Sequence, residues 1–180
     1  MKSEILHLLR HADGYVSGQQ LCETFGVSRT AVWKVINQLK EEGYVIDSVQ
    51  NKGYRITEYP DIITASEIES LLLDDSGNMQ GICRHIQYFD KTDSTNNQAK
   101  LAAEKNAPEG TLFVAECQTG GRGRRGKTWE SPAGSGIWMS LLLRPDISPE
   151  SASMLTLVLA VAMVDAINEE VQDAKCYVKW

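Results

Sequence analysis

The chain has 180 residues, with 18 Lys and Arg against 24 Asp and Glu, a formal net charge of −6 and 42% hydrophobic residues. This composition, with only 14 Gly and 5 Pro, excludes a disordered or collagen-like chain, and the length allows one domain or two small ones. Residues 1–60 carry seven basic and seven acidic side chains, so the acidic excess lies in the rest of the chain. Only the N-terminal part is therefore electrostatically suited to nucleic acid.

Three short helices are predicted at the start of the chain. The first contains Ile5 and Leu9, and Ser17 is a suitable N-cap for the second, which Gly26 ends. Ser28 caps the third helix, whose apolar stripe at helical spacing comprises Val32, Val35, Ile36 and Leu39. Two helices joined by a tight Gly-containing turn are typical of a helix-turn-helix.

Two short strands are predicted after the third helix, over residues 44–49 and 54–56. The Asn51-Lys52-Gly53 segment between them suits a hairpin turn, so the first sixty residues are predicted to form a winged helix-turn-helix. A small helical protein-interaction module with the same core is the alternative. If the domain binds DNA, the residues expected at the interface are Ser17, Gly18, Ser28, Arg29, Thr30, Trp33, Lys34, Asn37 and Lys52.

The second domain is predicted over residues 61–180, because Pro60 marks a boundary. Thr64 and Glu67 form a capping box that opens a helix, with Ile68, Leu71 and Leu72 turned inward. Strands and helices then alternate: strands at 86–89, 111–116, 137–143 and 176–180, and helices at 97–105 and 149–171. This order predicts an α/β domain, so the whole chain has a mixed α+β fold.

No membrane span and no disulfide is expected. The longest apolar run, Met154–Val164, has eleven residues, fewer than the ~18 that a transmembrane helix needs, so it is predicted to be a core helix. The four cysteines are widely separated, and no signal peptide precedes them. These features predict reduced thiols in a cytoplasmic protein.

The segment from Gln118 to Trp129 is the most unusual in the chain. It places four cations among four glycines: Arg122, Arg124, Arg125 and Lys127 among Gly120, Gly121, Gly123 and Gly126. Glycines allow backbone N–H groups to approach an anion, and arginine binds phosphate bidentately. An anionic ligand is therefore predicted, with a solvated basic loop as the alternative. A dinucleotide fingerprint is excluded because no helix follows the glycines.

Two further motifs have simple structural explanations. The run Asp93–Asn97 lies between a strand and a helix, where it forms either a plain N-cap or the polar mouth of a ligand pocket. His7 and His11 are four residues apart on the first helix, but they lack an acidic neighbour and a third ligand. No metal site is predicted there.

Taken together, these segments resemble the bifunctional bacterial biotin–protein ligase and biotin-operon repressor. The resemblance covers the chain from about residue 5 onward, and it is carried by residues 17–21, 27–34, 52–55, 93–96, 118–129, 131–132 and 178–180. It implies a catalytic domain of the biotin/lipoate ligase type, similar to class II aminoacyl-tRNA synthetases. It also implies that biotin and ATP, with Mg²⁺, give biotinoyl-AMP, whose acyl group passes to a lysine of the biotin carboxyl carrier protein of acetyl-CoA carboxylase.

The resemblance also implies roles for individual residues. Lys179 and Arg124 would be catalytic. Biotin would be held by Ser94, Thr95, Asn96, Gln118, Arg122, Gly123, Arg124 and Lys179. Phosphate and adenylate would be held by Gly121, Arg122, Arg124, Lys127 and Trp129. As a repressor, the protein would bind operator DNA as a homodimer with biotinoyl-AMP as corepressor.

Three qualifications accompany the resemblance. Lys127 stands where the family often has arginine, which keeps the charge but loses the bidentate fork. The family pattern continues past Lys179-Trp180, so we expect the chain to be an N-terminal portion, truncated within the catalytic domain, with doubtful ligase activity of its own. The alternatives are a winged-helix transcription factor that senses a small anion without ligase chemistry, and a lipoate-type acyl ligase.

Overall fold

In a computed structural model of the protein, which describes residues 1–171 and 175–179, three helices form the N-terminal core. They are α1 (Lys2–His11), α2 (Gly18–Phe25) and α3 (Arg29–Glu41). The predicted stripe of α3 is buried against Ile5, Leu6 and Leu21. Ser17 Oγ accepts a hydrogen bond from Gln20 N, and Ser28 Oγ accepts one from Ala31 N. The two predicted N-caps are confirmed.

The wing is a two-stranded antiparallel hairpin, β1 (Val45–Val49) and β2 (Gly53–Glu58). Asn51 adopts a φ of 64° in its turn, as predicted. The root of the wing is tied to the helical core, because Val16 and Tyr54 exchange two backbone hydrogen bonds of 2.9 Å. A Cβ at Gly53 would lie 2.0 Å from the Val16 carbonyl oxygen, so this close approach requires glycine.

Helix α4 (Ala65–Leu72) packs on α1 through a partly buried polar cluster. The Glu67 carboxylate accepts hydrogen bonds from Arg10 Nη2 at 2.6 Å and from the Tyr44 hydroxyl. The Arg10 guanidinium in turn lies over the Tyr59 ring, 4.4 Å from its centroid. Burial raises the pKa of the Tyr44 phenol above its ordinary value, and the hydrogen bond to Glu67 raises it further. We call Arg10, Tyr44, Tyr59 and Glu67 the α1–α4 cluster.

The prediction for α4 was correct at its start and wrong about Leu71, whereas Ile68 and Leu72 are half-buried. Thr64 Oγ1 accepts a hydrogen bond from Glu67 N, as in a capping box. Leu71, predicted to point inward, is 56% exposed, whereas Ser70 is fully buried. The bonds of Glu67 to α1, and that of His7 Nδ1 to the Ser70 carbonyl, turn this polar side of α4 toward α1. Leu71 consequently faces solvent.

A three-stranded sheet of order β3-β4-β5 follows. Strands β3 (His85–Phe89) and β4 (Thr111–Ala115) are parallel and are joined through α5 (Thr95–Glu104), while β5 (Trp138–Leu142) is antiparallel to β4. The central strand is the most buried, with Phe113 and Val114 at most 1% exposed. The predicted strands and helix are present, with ends shifted by one or two residues.

Residues 144–180 form a compact unit separate from residues 1–143. The predicted helix at 149–171 begins as a 3-10 turn, Pro149–Ser153, and continues as α6 (Met154–Glu170). The predicted strand at 176–180 is wrong over the described residues 175–179, which have no regular structure. Cys176 instead pairs with the Asn168 side chain through two hydrogen bonds. Trp180 lies outside the described residues.

Helix α6 is apolar on all sides, and many of its side chains are exposed, including Val158 at 63% and Leu159 at 59%. Among the described residues, Pro149–Glu170 is the one helical segment that is long and apolar enough to cross a membrane. Length and composition do not separate such a span from the core helix of a soluble protein. The predicted domain boundary at residue 60 stays a prediction.

The α1–α4 cluster generates the first testable prediction. Glu67→Gln should lower the free energy of unfolding of the chain by about 2 kcal/mol, because Arg10 keeps a partly buried charge without its partner. Urea denaturation followed by circular dichroism measures this. The control, Glu41→Gln at the exposed end of α3, should change the free energy by less than about 0.5 kcal/mol. Equal stability of the two variants would contradict a structural role for Glu67.

Candidate functional site

The site forms where the chain leaves β3 and β4, at the same edge of the sheet. Beyond the strands the parallel pairing resumes: Thr92 N donates to the Cys117 carbonyl at 3.1 Å, and Thr119 N donates to the Thr92 carbonyl at 2.9 Å. Gly120 N then donates to the Asp93 carbonyl at 2.7 Å. These bonds place the first turn of α5 beside the Gly-Arg segment, two regions of the sequence that were predicted to bind ligand.

The N-terminus of α5 differs from the other capped helices of residues 1–143. Ser94 is the N-cap residue and is only 5% exposed, yet its side chain makes no capping hydrogen bond. The side chains of Ser17, Ser28 and Thr64 all make one. A helix N-terminus presents free N–H groups and favours negative or carbonyl oxygen atoms. Ser94 therefore fits the predicted polar pocket mouth better than the plain N-cap.

Asp93 stabilises the junction between β3 and α5. Its carboxylate accepts hydrogen bonds from Asn97 Nδ2 at 2.6 Å and from Gln98 Nε2 at 2.9 Å. The bond from Asn97, with further bonds from Ser94 N and Gln98, lowers the pKa of Asp93 to about 2. The group is thus ionised at neutral pH and serves as an acceptor that holds the first turn of α5 in place.

Gln118 connects α5 to the segment that returns toward β5. Its side-chain oxygen accepts hydrogen bonds from Thr95 N at 2.8 Å and from Thr95 Oγ1 at 3.2 Å. Its side-chain nitrogen donates to Ser131 Oγ at 3.1 Å. Thr95 and Ser131 are each 3% exposed, so the side chains that bond to Gln118 are buried.

The Gly-Arg segment folds as a small antiparallel hairpin rather than an open loop. Trp129 N donates to the Gly121 carbonyl at 2.9 Å, and Gly123 N donates to the Lys127 carbonyl at 2.7 Å. The turn at 124–126 contains Arg125 with a φ of 58°. A Cβ at Gly121 would lie 2.3 Å from the Trp129 carbonyl oxygen, so the two arms could not approach in this way with any other residue. We call residues 121–129 the basic hairpin.

Three described cations of the basic hairpin have no acidic partner. Arg122, Arg125 and Lys127 are exposed, and among the described side chains none of the three forms an ion pair. Trp129, at the base of the hairpin, is 59% exposed. The side chain of Arg124 is not among those that the structure describes. Exposed, unpaired cations next to the polar side chains of the α5 terminus favour an anionic ligand, and such a ligand would gain from bidentate contacts with arginine.

The structure therefore brings most of the predicted ligand residues together. Within residues 1–143, it joins the α5 terminus, Gln118 and the basic hairpin in one region. That region contains Ser94, Thr95, Asn96, Gln118, Gly121, Arg122, Gly123, Lys127 and Trp129. Lys179 is exposed and belongs to the unit of residues 144–180, so its role stays a prediction, as does that of Arg124.

Two residues of the site were not singled out from the sequence as site residues. Ser131 receives the Gln118 amide, and Ser140 on β5 lies 2.9 Å from Thr95 Oγ1. The available signal was weak: a serine in the apolar strand 138–142, and a serine before a proline. Both gain significance only from the partners that the fold brings to them.

A second candidate surface lies on the winged helix. A groove of about 520 Å³ between α2, α3 and the wing is lined by Ser17, Gly18, Arg29 and Lys52, with polar residues of the wing turn. Trp33 is 57% exposed on α3, and Thr30 and Lys34 are exposed as well. Ser17 and Ser28, also predicted to contact DNA, use their hydroxyls as helix caps.

The His7 and His11 rings are in contact, with centroids 4.3 Å apart and planes tilted by 44°. Across residues 1–171 and 175–179, no group of three or more His, Cys, Asp or Glu side chains could hold a metal ion.

Comparison with known proteins gives a consistent set of similarities. Residues 2–55 match the HTH domain family, and residues 88–180 match the biotin/lipoate A/B protein ligase family. The chain is 41% identical to the bifunctional ligase/repressor BirA of Bacillus subtilis over 181 residues, covering 100% of the chain and 54% of that protein. It is 33% identical to the Escherichia coli protein of the same name over 177 residues, covering 98% and 51%. The chain thus spans about half the length of the curated relatives it matches.

Among solved structures, the biotin protein ligase from Aquifex aeolicus in complex with biotin and ATP is 34% identical. The match has a TM-score of 0.45 and covers 53% of this chain and 39% of that one.

The close approach at Gly121 generates the second prediction. Gly121→Ala should lower the free energy of unfolding by about 2–4 kcal/mol, because the new methyl group would overlap the Trp129 carbonyl. Thermal unfolding and proteolysis within residues 119–130 measure the effect. Gly14→Ala is the control, since a Cβ at Gly14 meets nothing within 4 Å. A Gly121→Ala variant as stable and as protease-resistant as the control would show that the hairpin arms do not pair.

Proposed function

Because this chain belongs to the biotin/lipoate A/B protein ligase family, we propose that the protein is an ATP-dependent biotin–protein ligase that also represses transcription by binding operator DNA. One observation supports the proposed ligase activity. The first turn of α5, Gln118 and the basic hairpin share a single region, which places hydrogen-bonding side chains beside unpaired cations. The HTH match over residues 2–55 supports the repressor half.

The proposed reaction joins two anions. The carboxylate of biotin attacks the α-phosphate of ATP, the α–β phosphoanhydride bond breaks, and pyrophosphate leaves. The resulting biotinoyl-AMP is a mixed anhydride. A lysine amine of the carrier protein then attacks its carbonyl carbon, an amide forms, and AMP leaves with the electron pair of the broken acyl–oxygen bond. Fixed cations are required in the first step, because a carboxylate and a triphosphate repel each other.

The described residues suit the two substrates, biotin and ATP. Ser94 has a hydroxyl that makes no capping bond, at a helix N-terminus that favours a carbonyl oxygen of the ligand. Arg122 and Lys127 supply unpaired positive charge for phosphate, and Trp129 supplies an exposed aromatic surface for adenine. Asn96, Gly121 and Gly123 would contribute contacts from the same segments. Arg124 and Lys179 are proposed to contact the reacting carboxylate and phosphate.

Mg²⁺ would come to the site with ATP. This ion usually keeps several waters and binds through phosphate oxygens and one or two carboxylates. It would neutralise charge on the leaving pyrophosphate. The unpaired cations of the basic hairpin suit the negative charge of a nucleoside triphosphate. The Asp93 carboxylate already accepts hydrogen bonds from Asn97 and Gln98, so it is not proposed as a magnesium ligand.

The winged helix offers the elements that a DNA-binding surface needs. Arg29, Thr30 and Trp33 are exposed on α3, and Lys52 lies at the wing turn across the groove. Helix α3 would enter the major groove while Lys52 contacts a phosphate. A homodimer would match two half-sites, and biotinoyl-AMP would act as corepressor by favouring the dimer.

The enzymatic half predicts pyrophosphate release that depends on biotin. Mixing the full-length protein with biotin, ATP and Mg²⁺ should release pyrophosphate and leave biotinoyl-AMP on the protein, as seen by mass spectrometry. Arg124→Ala should let biotinoyl-AMP escape faster, by about tenfold for one charge-assisted hydrogen bond.

Lys100→Ala, an exposed site on α5, is the matched control and should retain the adenylate as the wild type does. Binding of biotin without pyrophosphate release would favour the anion-sensing transcription factor over the ligase. Unchanged retention by Arg124→Ala would remove that residue from the site.

The repressor half predicts a gel shift of a palindromic operator that strengthens when biotinoyl-AMP is added. The operator would be selected from randomised duplexes with the wild-type protein. Lys52→Ala should reduce the salt dependence of binding by about one unit in the log–log slope, because one phosphate contact is lost. Lys105→Ala, outside the winged helix, should leave the slope unchanged. Binding that is indifferent to biotinoyl-AMP would leave a DNA-binding protein without the proposed corepressor.

A further inference from the structure

Four polar side chains form a continuous hydrogen-bonded chain beneath the α5 terminus. Ser140 Oγ on β5 lies 2.9 Å from Thr95 Oγ1, and Thr95 Oγ1 lies 3.2 Å from Gln118 Oε1. Gln118 Nε2 then lies 3.1 Å from Ser131 Oγ, which lies 3.4 Å from the Trp129 carbonyl. The chain thus links the sheet, the helix N-terminus and the base of the basic hairpin.

The direction of this chain follows from one backbone group. Thr95 N lies 2.8 Å from the same Gln118 atom that Thr95 Oγ1 approaches. A backbone N–H can only donate, so that atom must be the amide oxygen. The Thr95 hydroxyl then donates its only hydrogen to Gln118, so the Ser140 hydroxyl must donate to Thr95. The donors therefore run in one direction, from Ser140 through Thr95 and Gln118 to Ser131.

This direction determines what Gln118 offers a ligand. Its oxygen already accepts two hydrogen bonds, from Thr95 N and Thr95 Oγ1, which occupy both lone pairs. Its nitrogen has two hydrogens and gives one to Ser131. Within the described residues the second N–H has no protein partner. Gln118 therefore presents a donor, and a ligand must meet it with an acceptor such as a carbonyl oxygen.

We propose that Ser131 and Ser140 are positioning residues, which fix the Gln118 amide so that its N–H, and not its oxygen, is available to biotin. The inference rests on the proposed function for the identity of the ligand. Neither serine needs to touch biotin. Ser131 holds the amide nitrogen, and Ser140 commits the Thr95 hydroxyl to the amide oxygen. Without them, Thr95 N alone opposes a 180° rotation of the amide, and the N–H offered to the ligand is held less firmly.

The first test separates the KM for biotin from kcat. Ser131→Ala and Ser140→Ala should each raise the KM for biotin in pyrophosphate release by about tenfold, as expected for one misplaced hydrogen bond. The kcat and the KM for ATP should stay within about twofold. Ser140→Thr, which keeps a hydroxyl and suits a strand, should restore the KM. Ser135→Ala, at an exposed serine that is not part of this hydrogen-bonded chain, should behave as wild type.

A double-variant cycle tests whether the serine acts through Gln118. Gln118→Glu keeps acceptors for Thr95 N and Thr95 Oγ1 but removes the N–H offered to the ligand. It should raise the KM for biotin more than Ser131→Ala does, and adding Ser131→Ala to it should raise the KM by less than about twofold further. Additive effects, equal effects on the KM for ATP, or an unchanged KM in the serine variants would overturn the proposal.

A measurement without substrate distinguishes this inference from the proposed function. In ¹⁵N NMR spectra of the protein, the two side-chain amide hydrogens of Gln118 should resonate further apart than those of Gln50, which is exposed in the wing turn. Ser131→Ala should reduce that separation. If the separation is present but biotin and ATP give no pyrophosphate, the proposed ligase function fails and the amide arrangement stands. If the wild-type protein makes pyrophosphate but the Gln118 signals resemble those of Gln50, the positioning role fails.

Discussion

The site depends on the backbone pairing of residues 92–93 with residues 117–120. Three hydrogen bonds of 2.7–3.1 Å continue the parallel ladder after β3 and β4 have ended. Parallel neighbours leave a sheet at the same edge, so the start of α5 and the start of the basic hairpin emerge side by side. Every proposed ligand contact within residues 1–143 follows from that adjacency. The polar side chains add orientation, and the glycines allow the hairpin arms to close.

The relation between charge and conformation is clearest in the basic hairpin. Four cations in six residues repel one another, which favours an extended, solvated segment. The chain nevertheless folds this stretch, since Gly121 and Gly123 allow backbone bonds with Trp129 and Lys127. The cations are therefore displayed on a defined framework. A ligand with several negative charges would remove the repulsion and would stabilise the hairpin through mass action.

Local rules predicted much of the fold. The caps at Ser17, Ser28 and Thr64 depend on neighbouring residues alone, and all three are present. The predictions failed where a distant partner decides the outcome. Leu71 is exposed because Glu67 and Ser70 bind α1, and the segment 175–179 is irregular where Cys176 binds Asn168. In the same way, the family resemblance implied Gln118 as a ligand contact, but the polarity of its amide depends on Thr95 N, a partner that only the tertiary structure identifies.

The α1–α4 cluster has a mechanical consequence. Helix α4 is bonded to α1, and the turn after it is held as well, because Asp74 accepts bonds from Ser76 N and Asn78 N and Gln80 N donates to the Leu72 carbonyl. The sheet region begins with the bond from Arg84 N to the Gly110 carbonyl. Arg84 Nη1 also donates to the Met79 carbonyl at 2.6 Å, so the contacts run without a break from α1 through α4 and its turn to the sheet, and a load on the winged helix would reach β3 by this route.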